Sequence, residues 1–345
     1  MKKIVIKVVL ALVFTVLVLA IMFGIWWFLP AHTPRIKSGS GRSLAELEFI
    51  KIGGTRQCVL IRSEDTSNPI LLFLHGGPGM PVMFLAHKFQ KPLEKYFTVV
   101  QWDRRGAGKT YAKNVPSVES MNVRQLVNDA FDLIDTLRAR YHQDKVILVG
   151  HSFGTYLGSI MVSERPELFR AFISVGQVTD GQRARKLQEE FIKAKADSLG
   201  RSDIISQLNA NPDINFENWL FGFGGELKDS KSFLPLLWAG LTSPEYTLRD
   251  ALKVAKGSSF SSANMKYNVL TGSVYEKIRS YSIPVCFFVG RYDYTTPWPL
   301  IARYYDLVTA PRKEIIYFEN SAHFPFFEEP EKFCDELIRF AQNLN

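Results

Sequence analysis

The feature that most constrains this chain is the run from Lys145 to Gly154, in which a lysine and four apolar residues precede Gly-His-Ser-Phe-Gly. Residues 145–149 favour a buried strand, and residues 153–162 favour a helix. The Gly-x-Ser-x-Gly pattern between them predicts a sharp turn that holds Ser152 in strained backbone geometry. Its hydroxyl would then project from the strand end as a nucleophile, and the Phe153 N–H could bind a developing oxyanion. The alternative is a strand–turn without chemistry.

Apolar runs alternate with helical stretches along much of the chain, which predicts a mostly parallel central sheet with helices on both faces. Strands are expected near 47–52, 57–62, 69–75, 97–102, 169–175, 285–290 and 314–318, and helices near 84–96, 123–141 and 330–344. The first two strands flank Gly53-Gly54, which predicts an antiparallel hairpin. The fold class is therefore α/β. Its core is expected over 45–178 and 279–345, with an inserted helical cap over 179–278.

The amino-terminal segment is expected to be a membrane element. Val8 to Leu29 contains no charged residue and spans about 33 Å as a helix, enough for a bilayer core of about 30 Å. We expect an uncleaved anchor over 1–30 and a linker over 31–44; a cleaved signal peptide, whose apolar core is usually shorter, is the alternative. Basic residues flank the span on both sides. The short amino-terminal tail favours a single-pass protein with an extracytoplasmic enzyme domain.

Composition excludes several classes of partner. The formal net charge is +8, but the basic residues are scattered and form no stripe with interleaved aromatics, so no nucleic-acid partner is expected. The three cysteines lie far apart, and no His, Cys or carboxylate cluster has the spacing of metal ligands. We expect neither a metal nor an organic cofactor.

A serine nucleophile needs a base within hydrogen-bond reach and an acid that orients the base. Asp293 follows the strand 285–290, and His323 follows the next strand, so both would lie at the sheet edge that carries Ser152. This order predicts a triad of Ser152, Asp293 and His323. The alternatives are a turn residue for Asp293 and a surface histidine for His323, with Asp180 as the second candidate acid.

A glycine-rich loop follows an earlier strand. His75-Gly76-Gly77-Pro78-Gly79 can direct a backbone N–H at a substrate oxygen, so Gly77 is the expected second oxyanion donor beside Phe153. A simple tight turn is the alternative. His75 is expected to brace the loop. The nearby Gly106-Ala107-Gly108-Lys109-Thr110 resembles a phosphate-binding loop, but that motif needs glycine at position 103, where this chain has aspartate.

Five motifs together resemble the proline iminopeptidase-like branch of the α/β-hydrolase superfamily. They are His-Gly-Gly-Pro-Gly at 75–79, Asp-Arg-Arg-Gly-Ala-Gly-Lys-Thr at 103–110, the serine turn at 150–154, Gly-Arg-Tyr-Asp at 290–293 and Ser-Ala-His-Phe-Pro at 321–325. The resemblance covers the core domain from about 45 to 345, apart from most of the cap. It implies an α/β-hydrolase fold, the Ser152–Asp293–His323 triad and a helical cap over the site.

The resemblance also implies removal of an amino-terminal residue, typically proline, from short peptides. This activity needs cap carboxylates for the substrate's ammonium group, because a buried charge must be paired. Glu217 and Glu226 are the candidates, and solvated helix carboxylates are the alternative. Two other functions remain open: an esterase or lipase acting on membrane-derived acyl esters, and a catalytically silent binding protein. The intact serine, aspartate and histidine argue against the silent protein.

Overall fold

An eight-stranded sheet forms the centre of the protein in the computed structural model, which describes residues 2–39, 41–211, 214–265 and 273–344. The strands are β1 (Leu44–Ile52), β2 (Thr55–Ser63), β3 (Ile70–Leu74), β4 (Thr98–Asp103), β5 (Val146–His151), β6 (Phe169–Val175), β7 (Val285–Gly290) and β8 (Lys313–Phe318). Their spatial order is β1-β2-β4-β3-β5-β6-β7-β8. The β1–β2 and β2–β4 pairs are antiparallel and the others parallel, which confirms the predicted sheet and its opening hairpin.

The described residues form thirteen helices, and several of them pack on the two faces of this sheet. They are α1 (Lys2–Phe28), α2 (Ala86–Phe89), α3 (Gly108–Lys113), α4 (Val123–Tyr141), α5 (Phe153–Glu164), α6 (Gly181–Ser198), α7 (Ser202–Ala210), α8 (Glu217–Gly222), α9 (Leu234–Leu241), α10 (Leu248–Asn264), α11 (Trp298–Leu307), α12 (Pro325–Glu328) and α13 (Pro330–Gln342). The helix expected over 84–96 is instead a series of short turns, α2 among them. Pro92 explains this difference, since it lacks the N–H that a continuous helix requires.

Adjacent strand residues enter two separate hydrophobic cores. In β6, Phe172 packs with α4, α5 and α11 on one face, whereas Ile173 packs with α2, α12 and α13 on the other. Phe287 and Phe288 in β7 divide in the same way. Burial on both faces explains why these strands appear in the sequence as continuous apolar runs. Because strands β3 to β8 run parallel, their carboxyl ends lie at one edge of the sheet, where the candidate site lies.

The described residues between β6 and β7 form the helices α6 to α10, of which α6, α7 and α8 contribute a small core of their own around Ile192, Ile204 and Leu220. The predicted cap over 179–278 includes residues 212–213 and 266–272, which lie outside the described residues. Asp180 caps α6, because its side chain accepts a hydrogen bond of 2.9 Å from the Arg183 N–H.

The amino-terminal helix α1 exposes its apolar side chains from Ile4 to Met22. Among the described residues it is the one helix long and apolar enough to cross a bilayer. A signal sequence near the amino terminus can also be this long and apolar, so this helix fits both a membrane span and a signal peptide.

Candidate active site

The predicted serine turn joins β5 to α5 at the carboxyl edge of the sheet. Ser152 has φ 53° and ψ −123°, a strained conformation for a residue with a side chain. Its N–H donates a 2.9 Å hydrogen bond to the Val175 carbonyl at the end of β6, which fixes the turn to the neighbouring strand. A Cβ atom at Gly154 would lie 2.1 Å from the Leu74 carbonyl oxygen, so only glycine fits there. The sequence pattern therefore reflects real steric limits.

The His323 imidazole lies against the Asp293 carboxylate. Its Nδ1 is 2.9 Å from Asp293 Oδ2, and both residues are almost fully buried. Asp293 is itself held by Thr296, whose N–H and hydroxyl donate bonds of 2.8 and 2.7 Å to its two oxygens. Asp293 thus presents an oriented acceptor to one ring nitrogen, which leaves the other nitrogen of His323 for proton transfer.

Electrostatics favour a charged imidazole at this position. Burial alone lowers the pKa of His323, but the charge of Asp293 and its hydrogen bond outweigh burial and raise that pKa to about 9. The Glu226 carboxylate acts in the same direction. His151 has the opposite shift: burial lowers its pKa, and so does the charge of nearby His323. His151 Nε2 lies 2.9 Å from the His323 carbonyl oxygen, so this residue supports the histidine loop.

The glycine-rich loop at 75–79 lies directly beside the serine. A Cβ atom at Gly76 would approach Ser152 Cβ to 2.9 Å, so the loop backbone packs on the serine turn. The loop is held from behind by Arg104, a fully buried residue whose Nη2 donates to the carbonyls of Gly76 and Pro78 at 3.1 and 3.4 Å. Burial lowers the pKa of this guanidinium to about 9. His75 accepts the Arg104 N–H at 3.2 Å and thereby braces the same loop.

A cavity of about 460 Å³ lies above these groups and brings most of the predicted site residues together. Ser152, His323, Gly77, Glu217 and Glu226 all line it. Phe153 begins the helix that follows the serine. By contrast, the second candidate acid, Asp180, serves as a helix cap and does not line this cavity.

Glu226 belongs to a loop that is bonded to both strand-end loops of the site. Its carbonyl accepts the His323 N–H at 3.0 Å, and its carboxylate accepts the Thr295 hydroxyl. The neighbouring Gly225 carbonyl accepts the Tyr294 N–H at 2.9 Å. Burial raises the pKa of Glu226. Glu217, at the start of α8, is exposed and lies at the rim of the cavity.

Residues 103–110, which include the run that resembles a phosphate-binding loop, hold helix α10 and the residues before it. Asp103 accepts the Tyr246 hydroxyl and, at 2.7 Å, the Lys109 N–H. The Lys109 ammonium pairs with Asp250 on α10 at 2.6 Å. Burial raises the pKa of Asp103 to about 7. These groups connect the helical segment to the core beside the cavity.

Sequence reasoning missed Thr296, Arg104 and Tyr246 as parts of the site. The Asp-x-x-Thr spacing of 293–296 is a local signal for the first, since a carboxylate often accepts a hydrogen bond from the N–H three residues on. Arg104 and Tyr246 act through contacts between distant segments, for which one sequence holds no signal.

A family model for the alpha/beta hydrolase fold matches residues 69–330, which include the serine turn, the acid and the histidine. The chain belongs to the α/β-hydrolase family. It is 32% identical to the protein named Probable aminopeptidase YbaC of Bacillus subtilis strain 168, over 88% of this chain and 98% of that relative. It is 25% identical to a proline iminopeptidase of Heyndrickxia coagulans, over 86% and 98%. These matches place it in the proline iminopeptidase-like branch, and the protein is an enzyme.

Solved structures agree on the fold. The proline iminopeptidase-related protein of Thermus thermophilus superposes with a TM-score of 0.65, covering 87% of this chain and 98% of that one at 17% identity. The proline iminopeptidase of Mycobacterium smegmatis superposes with a TM-score of 0.64, covering 86% and 98% at 16% identity. At such low identities the likeness shows the fold alone.

Proposed function

We propose that this α/β-hydrolase is a serine aminopeptidase that removes an amino-terminal residue, typically proline, from short peptides. The observation that carries the proposal is the 2.9 Å contact between His323 Nδ1 and Asp293 Oδ2 beside a cavity shared with the strained Ser152. The aminopeptidase and iminopeptidase names of the sequence relatives support the substrate class.

The proposed reaction follows from the roles of these groups. Ser152 Oγ attacks the carbonyl carbon while His323 takes its proton, and Asp293 stabilises the resulting imidazolium. The Phe153 and Gly77 N–H groups donate to the oxyanion. His323 then returns the proton to the leaving amine, and water repeats the sequence on the acyl-enzyme to release the amino acid. A His323 pKa above its ordinary value makes the neutral ring a stronger base and stabilises the imidazolium that forms when it takes the proton.

The proposed recognition of the substrate's ammonium group depends on Glu226. Its carboxylate lies at the cavity wall in a loop that hydrogen-bonds to the His323 backbone, so an ammonium paired with it would sit close to the reacting carbon. Glu217 at the rim is the proposed second carboxylate. Arg185 also lines the cavity, but its guanidinium donates to the Ile214 carbonyl at 3.0 Å and lies over the Phe216 ring.

Paired substrates test this proposal. Wild-type protein is expected to cleave prolyl-4-nitroanilide but not its N-acetyl derivative, because acetylation removes the charge that Glu226 would bind. Glu226→Gln should lower kcat/KM for the free amine by about 30- to 100-fold, the cost of a half-buried charge left unpaired. Glu217→Gln, at the exposed rim, should cost less. Equal cleavage of the two nitroanilides would contradict the assignment.

An esterase is the second candidate function, favoured by the apolar space beside the catalytic cavity. The same triad would cleave short-chain nitrophenyl esters. Preferential ester cleavage that is unchanged in Glu226→Gln would favour this alternative over the peptidase.

The proposal includes a single-pass anchor, with α1 in the membrane and the enzyme domain outside the cytoplasm. The apolar length of α1 supports it. Intact cells treated with protease should lose the enzyme domain while α1 stays with the membrane fraction. Protection of the enzyme domain in intact cells, or a mature protein that starts after residue 30, would contradict it.

A further inference from the structure

A second, larger cavity of about 790 Å³ adjoins the catalytic cavity. The two share part of their walls, including Met80, Phe221, Phe233 and Ser258. A ligand could therefore extend from the serine into this space without leaving the protein. Of its lining residues, the site described above uses Glu217 and Tyr246, and it assigns no role to the space itself.

The buried residues that line the second cavity are mainly apolar, whereas its serine, asparagine and charged residues are exposed or half-buried. Phe84, Leu236 and Val254 add to the shared aromatic residues, whereas charged lining residues are Glu217 and Lys231. A volume of this order matches the cavities that hold small organic ligands. The apolar lining favours an aliphatic chain over a polar or charged group, because burying an unpaired polar group is costly.

This cavity reaches the surface beside helix α9. Leu237 lines the cavity and is 43% exposed, while its helical neighbours Leu234 and Trp238 are 67% and 68% exposed. Three large apolar side chains on one short helix form an exposed patch at the opening. Such patches commonly mark contact with another apolar surface.

The same region is attached to the segment that leaves the amino-terminal helix. The His32 N–H donates a 2.9 Å hydrogen bond to the Pro244 carbonyl, and the Arg249 guanidinium lies 5.3 Å from the centre of the Trp27 ring. His32 follows the end of α1 by four residues, so it lies at most about 14 Å from that helix end. Pro244 follows the end of α9 by three residues. If α1 crosses a bilayer, the α9 patch therefore lies near its surface.

We propose that the second cavity binds an aliphatic chain on the leaving-group side of the substrate. The inference rests on the proposed function, in which Glu226 and Glu217 hold the ammonium of the acyl side near Ser152. A long chain must then belong to the group that departs. The substrate class is an aminoacyl amide of a long-chain amine, an amphiphile that a membrane surface would concentrate. Hydrolysis adds water across the amide bond and releases the amino acid and the long-chain amine.

A chain-length series tests this inference on the full-length protein in phosphatidylcholine nanodiscs, with prolyl butylamide and prolyl octylamide as probes. Each methylene buried in the cavity can raise kcat/KM by up to about fourfold. We expect the octyl-to-butyl ratio to exceed tenfold in the wild type. Ala251→Phe and Ala255→Phe, which place a ring in the lining of the second cavity, should bring that ratio close to one.

Ala263→Phe is the matched control, since Ala263 is an exposed residue of α10 that lines neither cavity. It should keep the wild-type ratio. Partition of the longer amide into the nanodisc affects all variants alike, so the comparison isolates the cavity. A wild-type ratio near one, or an equal fall in Ala251→Phe and Ala263→Phe, would overturn the inference while the proposed function stood. Cleavage of neither amide would overturn both.

Discussion

Replacing Asp293 by asparagine tests the assignment of the acid. The substitution keeps the size of the side chain but removes the charge that lies 2.9 Å from His323 Nδ1. The new amide nitrogen can also donate to Nδ1, which favours the imidazole tautomer that cannot accept the serine proton. Both effects should lower kcat while the cavity keeps its shape.

The size of the effect follows from the local electrostatics. Asp293 is the main reason that the pKa of His323 rises from 6.5 to about 9 despite burial. A pKa difference of that size corresponds to roughly 3 kcal/mol of stabilisation of the imidazolium, or on the order of a hundredfold or more in rate if the transition state feels all of it. The wrong tautomer adds to this loss. We therefore expect kcat to fall by roughly 10³- to 10⁴-fold.

The assay is the steady-state hydrolysis of prolyl-4-nitroanilide, with circular dichroism and thermal unfolding as checks of folding. Asp180→Asn is the matched control, because Asp180 is the second candidate acid predicted from the sequence, and asparagine caps a helix as well as aspartate does. Asp180→Asn should keep kcat within about twofold. A large loss in Asp180→Asn, or a near-normal kcat in folded Asp293→Asn, would refute the assignment.

Three further predictions concern buried charges. Because His323 must be neutral to accept a proton, kcat/KM should rise with pH through about 9, and Glu226→Gln should move this midpoint lower. The raised pKa also stabilises the fold. That stabilisation is fully present below about pH 6.5 and is lost as pH rises through about 9, which pH-dependent unfolding would measure. Arg104→Met should lower kcat by about ten- to a hundredfold with a smaller change in KM, since it releases the glycine-rich loop; a change confined to KM would contradict this. Arg105→Met should destabilise the protein by about 3–5 kcal/mol in urea unfolding, because it leaves the buried Asp129 carboxylate with the neutral donors Gln57 and Gln125 but without its charged partner.

Much of the fold could be predicted because local patterns and sheet geometry agree. The two glycines around Ser152 reflect steric limits set by nearby backbone oxygens, that of Leu74 at Gly154 and that of Gly154 at Gly150, so the turn is recognisable in sequence. The positions of Asp293 and His323 after successive strands then place both at the same edge of the sheet. Residues 84–96 were predicted wrongly as a helix because apolar spacing outweighed Pro92, which interrupts the backbone hydrogen bonds.

The supporting groups of the site could not be predicted in the same way. Tyr246 reaches Asp103 across 143 residues of chain, and Arg104 acts by binding carbonyls rather than through a motif. Glu226 was proposed from the resemblance, yet its loop contacts with the histidine depend on how the helical segment folds back over the core. Such contacts follow from tertiary packing, on which a single sequence carries no direct signal.

The central claim is that Ser152 is the nucleophile of a working triad. The most direct measurement is labelling of the full-length protein with a fluorophosphonate, followed by mass spectrometry of its peptides. The account predicts one phosphonyl group on Ser152, loss of hydrolase activity in proportion to labelling, and no adduct in Ser152→Ala. Labelling at another residue, or activity that survives full modification of Ser152, would contradict it.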